Sequence, residues 1–197
     1  MSTTAVPGLR ERKKAATRQA LHEAAVRLAI ELGLERVTVE AIADEAGVSR
    51  RTFSNYFGGK EDALMHGDLQ RVRNLIAAVR ARPAGEPPWA ALTAAAEEFY
   101  RELGELDPHR VAQTRLVRNH PTLLAAQVQT FAAVERELAA EVAARGEEPE
   151  GVRARMTAAT FLVALRVAVN LWLDAPPGAS LGNLARRTLA EAGRGFR

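Results

Sequence analysis

The stretch TVEAIADEAGVSRRTFSNYFGG, residues 38–59, constrains the fold of this chain more than any other. Val39, Ile42, Ala46, Val48, Phe53 and Tyr56 fall at offsets that two short helices, joined by a tight turn, would bury against each other and against a preceding helix. Ala43 stands four residues before Gly47. A small side chain there lets the second helix approach closely, and glycine permits the positive φ that the turn needs. Thr38 and Ser49 are placed to cap the two helices, and Glu40 suits the positive end of the first. The pattern describes a helix-turn-helix. An ordinary αα-hairpin in a helical bundle is the bland alternative, but it would not need the polar content of the second of these helices.

The rest of the chain reads as all-α. Apolar residues make up 47% of the 197 and aromatic ones only 5%, and strong helix formers dominate without the alternating runs of strands. Helices are expected at about 9–32, 38–47, 49–58, 60–82, 88–105, 108–119, 121–145, 151–174 and 181–194. Gly33, Gly47, Gly58-Gly59, RPAGEPP, DP, HP, RGEEPEG and DAPPGAS divide them. The expected architecture is an N-terminal three-helix head followed by a larger C-terminal helical bundle, about nine helices in all. Cysteine is absent, so the chain has neither a disulfide frame nor thiol chemistry. No apolar run follows the early charges, and Arg166 and Asn170 interrupt the most apolar stretch. A cytoplasmic protein without a membrane partner is expected.

Charge is placed unevenly. Arg10, Arg12, Lys13, Lys14 and Arg18 face only Glu11 within the first twenty residues, and Lys60 is the one other lysine. A basic segment of this kind suits a polyanion, although a solvated tail has the same composition. The helix carrying RRTFSNYF has two faces. Phe53 and Phe57 point inward, whereas Arg50, Arg51, Ser54 and Asn55 remain outside with Thr52 at the margin. Arginine can bond bidentately to guanine and asparagine to adenine, while serine or threonine can meet a base or a phosphate. Such a helix fits a major groove.

AAVRLAIELGLERVTVEAIADEAGVS followed by RRTFSNYFGGKEDAL resembles the TetR family of transcriptional regulators over roughly residues 12–72. The resemblance implies a homodimer with a DNA-binding head at 12–72 (motif 39–58) and a ligand-binding and dimerisation body at 73–197. It implies that Thr38 and Val39 open the second helix near DNA, and that Arg51 and Thr52 enter the groove. Tyr56 is implied to contact DNA and Lys60 to touch a phosphate. Lys13 and Lys14 in the basic arm would supply phosphate or minor-groove contacts. Many members carry Tyr-Tyr or Tyr-Trp where this chain has Ser54-Asn55, and His where it has Tyr56.

In the body, the family builds its dimer interface from the last two helices. Phe161, Leu165, Val169 and Trp172 form a helical stripe expected as core or dimer contact, and Leu184 belongs to the same interface. Arg166 and Asn170 share a face with Arg155. An arginine amid Leu, Val and Ala needs an ion-pair partner or a ligand's acidic group. RLVRNHPTLLAA and the segments after it are similar to a TetR subgroup binding acyl-CoA-like ligands. That likeness implies a small-molecule effector, acyl-CoA or fatty-acyl, with Phe99 and Phe131 toward its tail and Arg115, Arg118, Arg166 and Asn170 toward its polar end. An exposed cationic helix is the alternative for 110–118.

The function expected is a dimeric repressor that leaves a palindromic operator when the effector binds. A DNA-binding protein of the same fold without an effector is the second reading. His22, His66, His109 and His120 show no metal-type spacing with carboxylates, and no nucleophile elbow or phosphate loop appears. Neither an enzyme, a cofactor nor a metal is expected.

Overall fold

The computed structural model describes residues 8–104, 108–146 and 151–196, without the side chains of 129, 130 and 196. Among these residues the fold is all-helical: α1 (Leu9–Leu32), α2 (Val39–Glu45), α3 (Arg50–Ser54), α4 (Lys60–Ala81), α5 (Pro88–Leu103), α6 (Pro108–Asn119), α7 (Pro121–Ala143), α8 (Val152–Asp174) and α9 (Leu181–Ala192). Single turns of 3-10 helix cover Leu34–Arg36 and Gly193–Phe196. The expected end of the fifth helix at 105 and the connector at 147–150 lie outside the described residues.

The described residues pack into two units. One comprises the residues up to Asp68 with Ala112–Ala126; the other comprises Leu69–Val111 and the chain from Gln127 onward. Helices α4, α6 and α7 each contribute residues to both.

In the first unit, α1 ends where Gly33 takes φ +82° and its N–H donates to the Ala29 carbonyl. Thr38 Oγ1 accepts from the Ala41 N–H at 3.1 Å, and Ser49 Oγ from the Thr52 N–H at 3.1 Å, so both expected caps form. Gly47 turns the chain at φ +67°, with the Val48 N–H donating to the Ala43 carbonyl at 2.9 Å. Only glycine adopts that backbone without strain. Ala43 is buried where the helices cross, and Leu21, Ala25, Ile42, Phe53, Phe57 and Leu64 complete the core with Val117 and Leu123. The helix around Arg51 is shorter than expected. Regular α-helix stops at Ser54, and a tighter turn carries the chain on, with the Tyr56 N–H donating to the Phe53 carbonyl at 2.8 Å.

In the second unit α8 is central. Ala158, Phe161 and Ala168 are fully buried, packed with Ile76 and Val79 of α4, Leu92 of α5, Leu138 of α7 and Leu189 of α9. Alanines let the helices approach closely, and Trp89 meets Phe161 edge-on at 6.3 Å. Arg145 closes the far end of α4, donating to the carbonyls of Pro83 at 2.8 Å and Arg82 at 3.2 Å. By length and composition α8 is the one described helix apolar enough to cross a membrane, but its place is the core of this unit. Its outer side keeps Val152, Met156, Val163, Val167 and Leu171 exposed.

Candidate nucleic-acid interface

Burial of Phe53 and Phe57, whose ring centroids lie 5.8 Å apart, fixes which side of α3 faces outward. Arg50, Arg51, Ser54 and Asn55 are all exposed on that side, while Thr52 is half-buried with its hydroxyl 2.9 Å from Ser49 Oγ. Ser54 Oγ donates back to the Arg50 carbonyl at 3.2 Å. Arg50 Nη1 pairs with Glu40 Oε1 of α2 at 2.9 Å. Thr38 is exposed with its oxygen engaged as the cap, and Val39 is half-buried against the core.

Tyr56 is braced from α1. Arg18 Nη2 donates to its carbonyl at 3.2 Å, and the guanidinium carbon lies 5.9 Å from the Tyr56 ring centroid and 5.6 Å from that of Phe57. Beside Tyr56, the exposed side chains of Leu9, Arg10, Glu11, Lys13 and Lys14 line an open groove of roughly 700 Å³ together with Thr17, its three cations set against one carboxylate. The basic arm and the end of the α3 segment therefore meet around one concave, cationic surface.

Lys60, expected to touch a phosphate, is instead engaged within the unit. Its ammonium donates to the carbonyls of Leu34 at 2.9 Å and Val37 at 3.1 Å, closing the α1–α2 connector onto the start of α4. The same connector is gripped from the α6–α7 corner, where His120 Nε2 lies 3.0 Å from Glu35 Oε1 and His120 Nδ1 lies 2.7 Å from Thr122 Oγ1. Sequence reasoning counted Arg18 only as charge and Glu40 only as a helix-end carboxylate, and it gave His120 no role. The Glu40–Arg50 spacing across two consecutive helices was the one signal available.

The body residues fall differently from expectation. Phe161 and Leu165, expected in a stripe of core or dimer contact and assigned to the interface, are inside the protomer's own core at 0% and 9% exposure. Val169 and Trp172 are half-buried, the latter donating its indole N–H to the Ala179 carbonyl at 3.0 Å, and Leu184 packs against the same core. The physical reason is that α8 is apolar on most sides, so its largest side chains fill the interior and the branched residues of the next stripe are left outside. Arg166, expected in an internal or cross-dimer ion pair or on a ligand's acidic group, is exposed on that outer side. Phe99 and Phe131 are half-buried against the core of the second unit, which also holds Arg166 and the half-buried Asn170. Arg115, exposed, and Arg118, half-buried, belong to the first unit, so the six residues expected around an effector are not brought together in one of them. Among the described residues no group of His, Asp and Glu could hold a metal ion.

The chain is similar to several known proteins. Residues 21–64 match the family model described as bacterial regulatory proteins, tetR family, and residues 86–197 match that of the MftR C-terminal domain. The chain is 35% identical over 183 residues to the HTH-type transcriptional regulator TcmR of Streptomyces glaucescens, covering 87% of this chain and 79% of that protein. Two solved structures share its fold. SmeT in complex with triclosan, from Stenotrophomonas maltophilia, superposes with a TM-score of 0.65 at 18% identity over 91% of each chain. Thermus thermophilus FadR in complex with lauroyl-CoA gives 0.60 at 22% identity over 91% of this chain and 95% of that one.

Proposed function

The chain belongs to the TetR family of bacterial regulatory proteins, and from that premise we propose that it is a homodimeric repressor released from a palindromic operator by a small amphipathic effector. As a member it is a transcriptional regulator with a helix-turn-helix head, not an enzyme. Residues 12–72 act as the DNA-binding domain and 73–197 as the ligand-binding and dimerisation domain. The single observation that carries the DNA reading is the outer face of α3, where Arg51, Ser54 and Asn55 stand exposed over a fully packed base. Arg51 and Asn55 read base edges, Thr52 and Tyr56 position the helix, and Lys13 and Lys14 take phosphates in the groove beside Tyr56.

Dimerisation is assigned to the exposed α8 stripe of Met156, Val163, Val167 and Leu171, which gives two heads related by a two-fold axis. Half-sites about one helical turn apart follow from that symmetry. The effector class we propose is fatty-acyl or acyl-CoA, with Phe99 and Phe131 toward the tail. Support comes from an apolar helical body and from the lauroyl-CoA carried by the Thermus protein of the same fold. Release needs only differential affinity of the effector for two states of the body.

The test is selection of genomic fragments by the purified protein, followed by gel shift of the enriched duplex against an unrelated one. Preferential retention of the enriched duplex that is lost in Arg51→Ala supports the reading. Equal retention of both duplexes overturns it. Adding lauroyl-CoA tests the effector separately: release supports the class, and a bound complex that persists removes it.

A further inference from the structure

The pair between Glu40 of α2 and Arg50 of α3 stands at the edge of the reading face. The two side chains meet at 2.9 Å, with 54% of the glutamate and 72% of the arginine exposed. Burial therefore does not explain the contact, and an isolated exposed pair adds little to stability. Its position gives it another use. Arg50 opens α3 at the helix end that disfavours cations, and the Glu40 carboxylate offsets that. Arg51 is exposed and holds no ion pair among the described residues. Two adjacent arginines on one short helix are thus in different electrostatic states before any DNA arrives.

At the edge of the reading face, where Arg50 stands, a free guanidinium takes the nearest phosphate on any sequence. A guanidinium already paired has to leave its carboxylate first. We propose that Glu40 is a specificity-determining residue: it withholds Arg50 from indiscriminate phosphate contact, so that the reading face binds unrelated DNA weakly and Arg51 with Asn55 decides the outcome. The inference rests on the DNA-binding reading above and adds to it a carboxylate acting against non-specific affinity.

The experiment measures fluorescence anisotropy of the full-length protein across a salt series. The probes are a duplex enriched from genomic fragments and a length-matched unrelated duplex. Glu40→Gln is expected to tighten binding to the unrelated duplex about two- to fivefold, as expected for release of one exposed ion pair. It is also expected to steepen the slope of log K against log salt by about 0.9, one added phosphate contact. The ratio between the two duplexes falls accordingly. In an Arg50→Ala background the same change should have no effect, since its target is gone. Glu45→Gln, which removes the same charge from α2 where Glu45 pairs with Arg27 at 2.8 Å, is expected to leave the slope unchanged. An unaltered slope in Glu40→Gln, an effect that survives Arg50→Ala, or an equal effect from Glu45→Gln overturns the proposal, whatever the thermal stability of the variants. Wild-type protein that binds both duplexes equally overturns the DNA reading itself and this inference with it. Wild-type discrimination with an unmoved Glu40→Gln overturns the inference alone.

Discussion

Arg51 and Lys60 carry the same formal charge yet stand in opposite situations. Arg51 projects from α3 into solvent, whereas Lys60 spends two of its donors on the carbonyls of Leu34 and Val37. Arg51→Ala is therefore expected to weaken the operator complex by about 1–3 kcal/mol while barely moving affinity for unrelated duplexes, by titration of both. Lys60→Ala should act on folding first. The Val37 carbonyl loses its donor and that of Leu34 keeps only the Val37 N–H, so the unfolding free energy should drop by about 1–3 kcal/mol in denaturant titration, with the salt slope of DNA binding little changed. The charge of Lys60 was legible from its place before Glu61 and Asp62, but its direction was not. A lysine that points inward to a connector and one that points outward to a phosphate have the same one-dimensional neighbourhood.

At the scale of elements, punctuation was the readable part. Gly33 and Gly47 at positive φ, and prolines at the starts of α5, α6 and α7, put helix ends within a few residues of expectation, because each acts through local backbone geometry. Which side of a helix faces what is a tertiary matter, and α8 shows the difference. Its apolar residues surround most of the helix, so periodicity could not tell the stripe of Phe161 and Leu165 from that of Val163 and Val167. Close helix crossings were likewise invisible. A Cβ on Gly67 of α4 would sit 2.4 Å from Nε2 of His22, whose other ring nitrogen lies 2.8 Å from the Ala63 carbonyl. Gly67→Ala is expected to destabilise the first unit by about 1–3 kcal/mol through overpacking, read from its thermal midpoint. In α5, burial pushes the Tyr100 hydroxyl up to about 12, with Arg71 acting the other way. The neutral form is favoured in the folded state, so its contribution is fully present below the ordinary value near 10 and fades as pH rises toward 12. Denaturation followed from pH 9 upward should show a loss of stability that Tyr100→Phe lessens.

For the molecule as a whole, the proposed function depends on two heads acting together. A contiguous apolar stripe on the core helix of the second unit is the surface to break. Val163→Glu combined with Val167→Glu is expected to yield a monomer in sedimentation without unfolding the helices, since both residues are already exposed. Operator affinity should then fall roughly a hundredfold or more, because the second head no longer binds at high effective concentration. The fold class and the helix-turn-helix were legible because such a motif imposes spacing on a short stretch of chain. Which side of α8 stays uncovered was not, since it depends on what the large helices bury around it. The most direct test of the account is a hydroxyl-radical footprint of the wild-type protein on the genomic duplex it enriches. Two protected patches about one helical turn apart, on one face of the duplex and related by a dyad, are the predicted result. A single unpaired patch, or uniform protection along the whole duplex, would contradict a symmetric pair of α3 helices reading DNA.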